Sequence, residues 1–360
     1  MRARKTNALL AKGQTVNTDP MCGKDSFFSF RAGMKALKAV LFYKLFNKRT
    51  PLSVTFFPTR LCNFDCQTCG IQSSMDCDIP HERFMSIIDE VAAAGAIRVS
   101  FTGGGEPLMR DDMGELILHA KHQGLIVSMV TNGFFIDQKL DQIRHLDLLL
   151  VSYDRSKRLK QKNTPVLDKI LNNAVLARNS GIPVCLQPLL TKDTCLHIED
   201  YFAVSRQHGF VLSIESLENW YQSTVPAEMM PSREEMVATI EKILTEKKRN
   251  NNILNSKRYL NLLAECWPHP FHNVNCLAGV FSANISVDGY LYPCIPLIKR
   301  MSAGSLIDQP FGPAFQNMSF PACSGCLWNC HHELNNIFSM DIGTLWNLIR
   351  FSKNKLIYRR

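Results

Sequence analysis

The stretch IRVSFTGGGEPLMRDDMGELILHAKHQGLIVSMVTNG, residues 97–133, holds one complete structural unit. Ile97–Thr102 and Leu125–Thr131 are short runs of branched and aromatic residues without strict alternation. Strands buried on both faces of a parallel sheet read this way. Between them a glycine-rich turn, Gly103–Pro107, precedes an amphipathic stretch from Asp111 to Gln123, and Asn132-Gly133 closes the unit as a turn. Working outward, the same unit recurs from Pro51 to about Trp220. Further strand-like runs are Leu52–Phe57, Leu148–Tyr153, Pro183–Leu189 and Val211–Ser216, and further helix-like segments are His81–Ala94, Pro165–Ser180 and Ile198–His208. This alternation predicts α/β architecture, a partial (β/α)6 barrel over 51–230. Periodicity alone does not exclude an open sheet. Polar or glycine-rich loops follow the first three strands, and in parallel α/β folds such loops form the functional rim at the strands' carboxyl ends.

The chain has 360 residues, 46% of them apolar and 20% charged, enough for a sizeable core. No run of eighteen apolar residues predicts a membrane span, and the start, MRARKTNALLAKG, lacks the apolar core of a secretory signal. The expectation is a cytoplasmic protein. Its charge of +9 is uneven: residues 1–60 hold 12 Lys/Arg against two Asp, and residues 347–360 hold five more basic residues and no acid. These ends are either solvated basic arms or contacts to an anionic partner such as the inner membrane surface, where the protein would sit peripherally. Phe30–Arg49 mixes apolar and basic residues without clean segregation on a helical wheel. No RNA-binding module stands out, so nucleic acid is not an expected partner.

Thirteen cysteines without an export signal point to metal or redox chemistry rather than disulfides. Eight fall into two groups. Cys62, Cys66 and Cys69 place three thiols within eight residues. Thiolates suit soft metals and iron–sulfur clusters. A cubane on three thiolates keeps one iron open, whereas structural zinc wants a fourth ligand, for which Cys77 is available.

Thr59-Arg-Leu-Cys62-Asn63-x-x-Cys66-x-x-Cys69 after a strand resembles the signature of the radical S-adenosylmethionine superfamily. The resemblance implies a [4Fe–4S] cluster on these cysteines whose open iron chelates S-adenosyl-L-methionine, reductive cleavage to a 5′-deoxyadenosyl radical, and hydrogen abstraction from substrate. It also implies an electron donor such as flavodoxin or ferredoxin. The position before the third cysteine, usually aromatic and near the adenine, is Thr68 here. Gly103, Gly104, Gly105 and Glu106 are similar to the family's GGE motif, which binds the methionine amino group. Ser152 and Asp154 resemble its ribose and carboxylate contacts. Asn132 reads as a turn residue, and Glu215 is a candidate catalytic group facing the site.

The second group is Cys276, Cys294, Cys323, Cys326 and Cys330. Asp288-Gly289 between apolar runs reads as a hairpin that brings Cys276 and Cys294 together, where the Cys323-x-x-Cys326 pair completes four ligands. The spacing resembles the twitch or SPASM auxiliary domain of radical enzymes. It implies one auxiliary [4Fe–4S] cluster, with Cys330 a spare or alternate ligand; a four-cysteine zinc site uses the same ligands. The expected organisation is a basic extension (1–50), the barrel core (51–230), a connecting helical segment (231–264) opened by the Ser232/Glu235 capping pattern, a small cysteine-rich metal-binding domain (265–340) and a basic tail (341–360). Cys22, Cys185, Cys195 and Cys266 read as ordinary thiols. Trp267, Trp328 and Trp346 read as packing residues, and His331 and His332 as surface residues. The reading is a radical enzyme acting on a peptide or protein, a lipid or another small molecule. The alternative is a non-catalytic protein stabilised by zinc or iron–sulfur, with basic arms for membrane or nucleic acid.

Overall fold

A computed structural model describes residues 30–69, 78–154, 164–218, 225–269, 276–298, 301–319, 323, 325–352 and 354. Cys22, Cys77, Trp220, most of the basic start and the end of the basic tail lie outside the described residues. The strands are β1 (Ser53–Phe56), β2 (Arg98–Phe101), β3 (Ile126–Thr131), β4 (Leu148–Ser152), β5 (Val184–Gln187), β6 (Leu189–Leu190), β7 (Val211–Leu212), β8 (Glu215–Ser216), β9 (Ser282–Ile285) and β10 (Leu291–Tyr292). Through the barrel half run helices α1 (Phe30–Phe46), α2 (His81–Ala93), α3 (Met113–His122), α4 (Ile136–Ile143), α5 (Thr164–Asn179), α6 (Lys192–Leu196) and α7 (Ile198–His208). Then come α8 (Arg233–Asn250), α9 (Lys257–Cys266), α10 (Phe311–Gln316), α11 (Asn329–Phe338) and α12 (Ile342–Ser352).

β1 to β5 and β7 pair in parallel in sequence order, each crossing over through helix, as the apolar runs dictate. The result is an α/β partial barrel. Its core holds the interlocked rings of Phe56, Phe84 and Phe101, the first two 5.1 Å apart at their centroids. α8 opens with the expected capping box, Ser232 and Glu235 exchanging side-chain to backbone bonds.

Two features depart from the simple six-strand expectation. The fifth and sixth runs each break into two pieces, because Pro188 has no N–H to continue the ladder. The second pieces, β6 and β8, pair separately, Leu189 opposite Glu215. The second feature is β9, which continues the main sheet beside β1 with Ser53 opposite Ser282. The predicted hairpin then returns as antiparallel β10, and Gly289 at its turn has φ 82°, a left-handed conformation suited to glycine. The C-terminal cysteine-rich segment is thus hydrogen-bonded into an eight-stranded sheet. No helix among the described residues is long and apolar enough to cross a membrane.

Candidate active site and metal centres

The cysteine loop leaves β1 and lies directly on the glycine loop that leaves β2. Gly105 N donates to Thr59 O (2.5 Å) and Glu106 N to Leu61 O (2.7 Å). The contact is backbone on backbone: a Cβ on Gly104 would stand 2.4 Å from Thr59 O, and one on Gly105 2.0 Å from Leu61 O. These glycines are therefore demanded first by the chain's own cysteine loop.

Glu106 is 2% exposed, and its carboxylate is already engaged. It accepts from Thr131 Oγ1 (2.6 Å), Asn132 N (2.7 Å) and Leu108 N (3.1 Å). Burial raises its pKa, and these three bonds oppose that. It welds the end of β3 to the glycine loop. Asn132 does more than turn the chain. Its Oδ1 accepts from Phe134 N, as a turn residue's does, while its Nδ2 reaches across to Asn63 Oδ1 (2.8 Å) in the cysteine loop.

A cavity of about 830 Å³ runs through the barrel. At its carboxyl rim it brings together Cys62, Cys66, Cys69, Thr68, Gly103–Gly105 and Glu106 with Ser152, Asp154 and Glu215. Its walls are of two kinds. Ser53, Thr55, Arg98, Ser100, Ser282 and Asn284 face it from β1, β2 and β9, and Ile126, Val130, Leu148, Leu150 and Cys185 from β3, β4 and β5. A barrel interior is ordinarily filled by bulky apolar side chains, so the polar wall marks space kept for a polar occupant. Arg98 extends along it, donating to Ser53 Oγ (3.4 Å) and Ser128 Oγ (3.1 Å).

Glu215 enters this cavity because of the break after β7. Gln187 Nε2 (2.7 Å) and Asn329 Nδ2 (3.2 Å) donate to its Oε1. Burial pushes its carboxyl up to about 7 against those two bonds. Glu218 and Glu333 line the same space, and burial raises them to about 8 and about 7. These two, with Gln187, Asn329 and Arg98, were missed in the sequence. The spacing Ser53/Thr55 and Arg98/Ser100/Thr102, polar at every second position of otherwise apolar strands, was the available signal.

The thiols separate into two neighbourhoods. The Cys62 thiol is pushed up to about 11, chiefly by burial, with a lowering bond from Phe64 N and further rises from Glu106, Cys66 and Cys69. Burial also raises Cys276, Cys294 and Cys326. Beyond burial, Cys276 feels Cys323; Cys294 feels Cys276 and Cys323; and Cys326 feels Glu218, Cys294 and Cys276. Thiols that oppose one another's ionisation are the ones a shared cation stabilises. Both donor sets therefore fit an iron–sulfur cluster in their chemistry. Among the described residues neither set is already drawn in to distances that grip an ion. Cys330 keeps different company. It lines the cavity, where loss of solvation pushes its thiol up to about 12, Glu215 adding to the rise and Arg98 opposing it.

Three readings are corrected. His332 is buried, its Nε2 2.6 Å from Cys326 O, and His331 is enclosed, burial pulling it down to about 4. Both lie on the first turn of α11, which enters the protein rather than lining its surface. Trp267 is a core residue, its Nε1 donating to Pro231 O (2.9 Å), but Trp346 points outward at 67% exposure.

A parallel partial barrel whose carboxyl rim carries three cysteines packed on a glycine loop defines a class, and the comparison with known proteins agrees. Residues 56–199 match the radical SAM superfamily. The chain's curated relatives include the PqqA peptide cyclase of Xanthomonas campestris pv. campestris (strain 8004), 26% identical over 313 residues, 82% of this chain and 77% of that one. The PqqA peptide cyclase of Xanthomonas euvesicatoria pv. vesicatoria (strain 85-10) is 24% identical over 55% of this chain, and the match spans only 56% of that enzyme. Among solved structures, Streptococcus suis SuiB bound to precursor peptide SuiA shares the fold at TM-score 0.62 and 15% identity, over 85% of this chain and 73% of that one. The protein anSMEcpe with bound AdoMet does so at 0.58 and 19%, over 75% and 81%.

Proposed function

We propose that this chain is a peptide-modifying radical enzyme, with Cys62, Cys66 and Cys69 holding a [4Fe–4S] cluster and the rim above the cavity holding S-adenosylmethionine. The observation that carries the reading is the packing of the cysteine loop on the glycine loop at the mouth of a part-polar cavity. Bound there, cluster and cofactor supply a hydrogen-abstracting 5′-deoxyadenosyl radical. The protein's own residues do the rest. The Asn63–Asn132 bond and the Glu106 carboxylate fix the rim. Ser152 and Asp154 offer a hydroxyl and a carboxylate to the cofactor's ribose and amino-acid ends from the facing lip. Glu215, raised to about 7, can hold or release a proton at its carboxylate against a substrate in the cavity. Cys276, Cys294, Cys323 and Cys326 hold a second cluster, and Cys330 is a cavity thiol outside that set.

A peptide substrate is supported by the relatives' names, PqqA peptide cyclase and SuiB with its precursor peptide. The electron donor is a small reduced carrier such as flavodoxin or ferredoxin. The test is anaerobic reconstitution followed by dithionite and S-adenosylmethionine. Brown protein that forms 5′-deoxyadenosine, and loses this in Cys62→Ala, Cys66→Ala or Cys69→Ala, supports the reading. Turnover that survives in the triple variant sinks it, as does colourless protein carrying only zinc. Peptides encoded beside the gene, scored by mass change, test the substrate class.

A further inference from the structure

α1 and α12 close the barrel at the amino ends of its strands, where Ala36, Val40, Leu345 and Leu348 line the cavity beside Leu52 and Leu148. Each helix also carries an apolar face that points away from the protein. On α1 the inner face, Ala36, Ala39, Val40 and Tyr43, packs with Leu52, Phe281 and Phe338. The outer face carries Met34, Leu41 and Leu45, with Phe42 and Phe46 beside it, while Leu37 lies at its edge, partly exposed and partly lining the cavity. On α12 the outer stripe is Ile342 and Trp346, with Ile349 at its edge, exposed on one side and lining the cavity on the other. Leu45 is 71% exposed, Phe46 69% and Ile342 83%. Of the sixteen large apolar side chains exposed among the described residues, six lie on α1, three on α12 and one, Met340, just before α12. A surface helix normally turns a polar face to water, and an apolar concentration of this kind marks an interaction surface. The wheel of Phe30–Arg49 fails to segregate because two apolar faces share one helix and the protein covers only one of them.

The charges around this face name the partner. No Asp or Glu occurs in residues 30–50 or 342–360. Lys35, Lys38, Lys44, Lys48 and Arg350 are exposed around the stripes, and Lys38 Nζ sits 5.5 Å over the Phe42 ring. We propose that this face docks the protein on an anionic lipid surface, with α1 and α12 lying in the headgroup layer. Apolar side chains there reach the acyl boundary while lysines extend back to phosphates. A second copy of the chain would set like charges against one another. Nucleic acid would satisfy the cations and leave the apolar stripes in water.

Flotation of the full chain tests this, using phosphatidylcholine vesicles with and without about one-third phosphatidylglycerol, since each basic residue near such a surface adds to binding. The wild type should float with the anionic vesicles only, and brominated lipid should quench Trp346, a quenching lost in Trp346→Phe. The Leu45→Asp/Phe46→Asp and Ile342→Asp variants should partition at least about tenfold less, because each carries charge into the acyl boundary. Their 5′-deoxyadenosine formation should be unchanged, so failure here and failure of the catalytic reading are told apart. Wild-type protein that stays down with anionic vesicles overturns the proposal. So does a dimer in solution that Leu45→Asp disperses, or lipid binding that appears only after residues 1–29 are removed.

Discussion

Gly105→Ala adds one methyl group where the cysteine loop and glycine loop touch. Gly105 is not in the left-handed region, so the change carries no φ penalty and its cost is purely spatial. The new Cβ would meet Leu61 O at 2.0 Å, Leu61 C at 2.5 Å and Arg60 C at 2.6 Å, all backbone atoms that cannot rotate aside. The cysteine loop would have to retreat by about 1 Å merely to restore a 3.0 Å contact. That movement breaks the bonds from Gly105 N to Thr59 O and from Glu106 N to Leu61 O. Two enclosed donors left unmade cost about 1–3 kcal/mol each, or about 2–6 kcal/mol together. Domain stabilities are about 5–15 kcal/mol, so the loop should open while the barrel stays folded. Gly103→Ala is the comparison. It pays for a left-handed φ of 64°, but the nearest atoms to its Cβ are those of the Phe57 ring, from 3.0 Å, a side chain that can shift. The assay is iron and sulfide content after reconstitution, with hydrogen exchange over residues 58–69 and far-ultraviolet circular dichroism as the control for fold. Gly105→Ala should lose the first cluster's iron and its loop protection, and Gly103→Ala should keep most of both. A Gly105→Ala protein with wild-type iron and wild-type loop exchange would refute the idea that this contact holds the cysteines in place.

The thiol neighbourhoods predict an iron census: wild type about eight, with Cys294→Ser or Cys326→Ser falling to about four and Cys330→Ser remaining at about eight. Iron lost with Cys330→Ser would return that residue to the ligand set. Glu215 is raised in the folded state to about 7, so its contribution to stability is present below the unfolded carboxylate range and is lost as pH rises through about 7. Glu215→Gln should remove up to about 3 kcal/mol of that decline between pH 5 and 8; identical melting-temperature profiles in the two proteins would count against it. Glu106→Gln places an amide among three donors and should destabilise the protein by about 1–3 kcal/mol. An unchanged melting temperature would mean that Glu106 is free for a ligand's ammonium group instead.

The sequence was most legible where one rule acted alone. The apolar runs located the barrel strands, and Ile198–His208 matches α7 end to end. The capping pattern at Ser232 and the turn at Gly289 followed from single-residue chemistry. What it hid depends on contacts between distant segments. Nothing in residues 282–285 says that their partner is β1. The helices α4 and α6 are too short to set up a repeat in the sequence, and α11 opens on Asn-Cys-His-His, weak helix formers held by packing. Within the site, the cysteine and glycine loops were visible as motifs, but their direct contact was not. Glu106 was visible as a motif residue, but its bonds to Thr131 and Asn132 were not, because those partners come from another strand. His331 and His332 looked superficial for the same reason.

The pairing of β9 with β1 also orders events during synthesis. The strand that launches the cysteine loop has one edge satisfied as soon as β2 is made. Its other edge waits until residues 282–285 emerge, more than two hundred residues later. Until then β1 offers an unpaired ladder of the sort that templates wrong association, and so distant a pairing is slow to close. A nascent chain halted before Ser282 would carry all three cysteines of the first group on a strand with an open edge. In the finished chain the same strand is locked between β2 and β9, so iron that arrives after release meets a loop anchored on both sides.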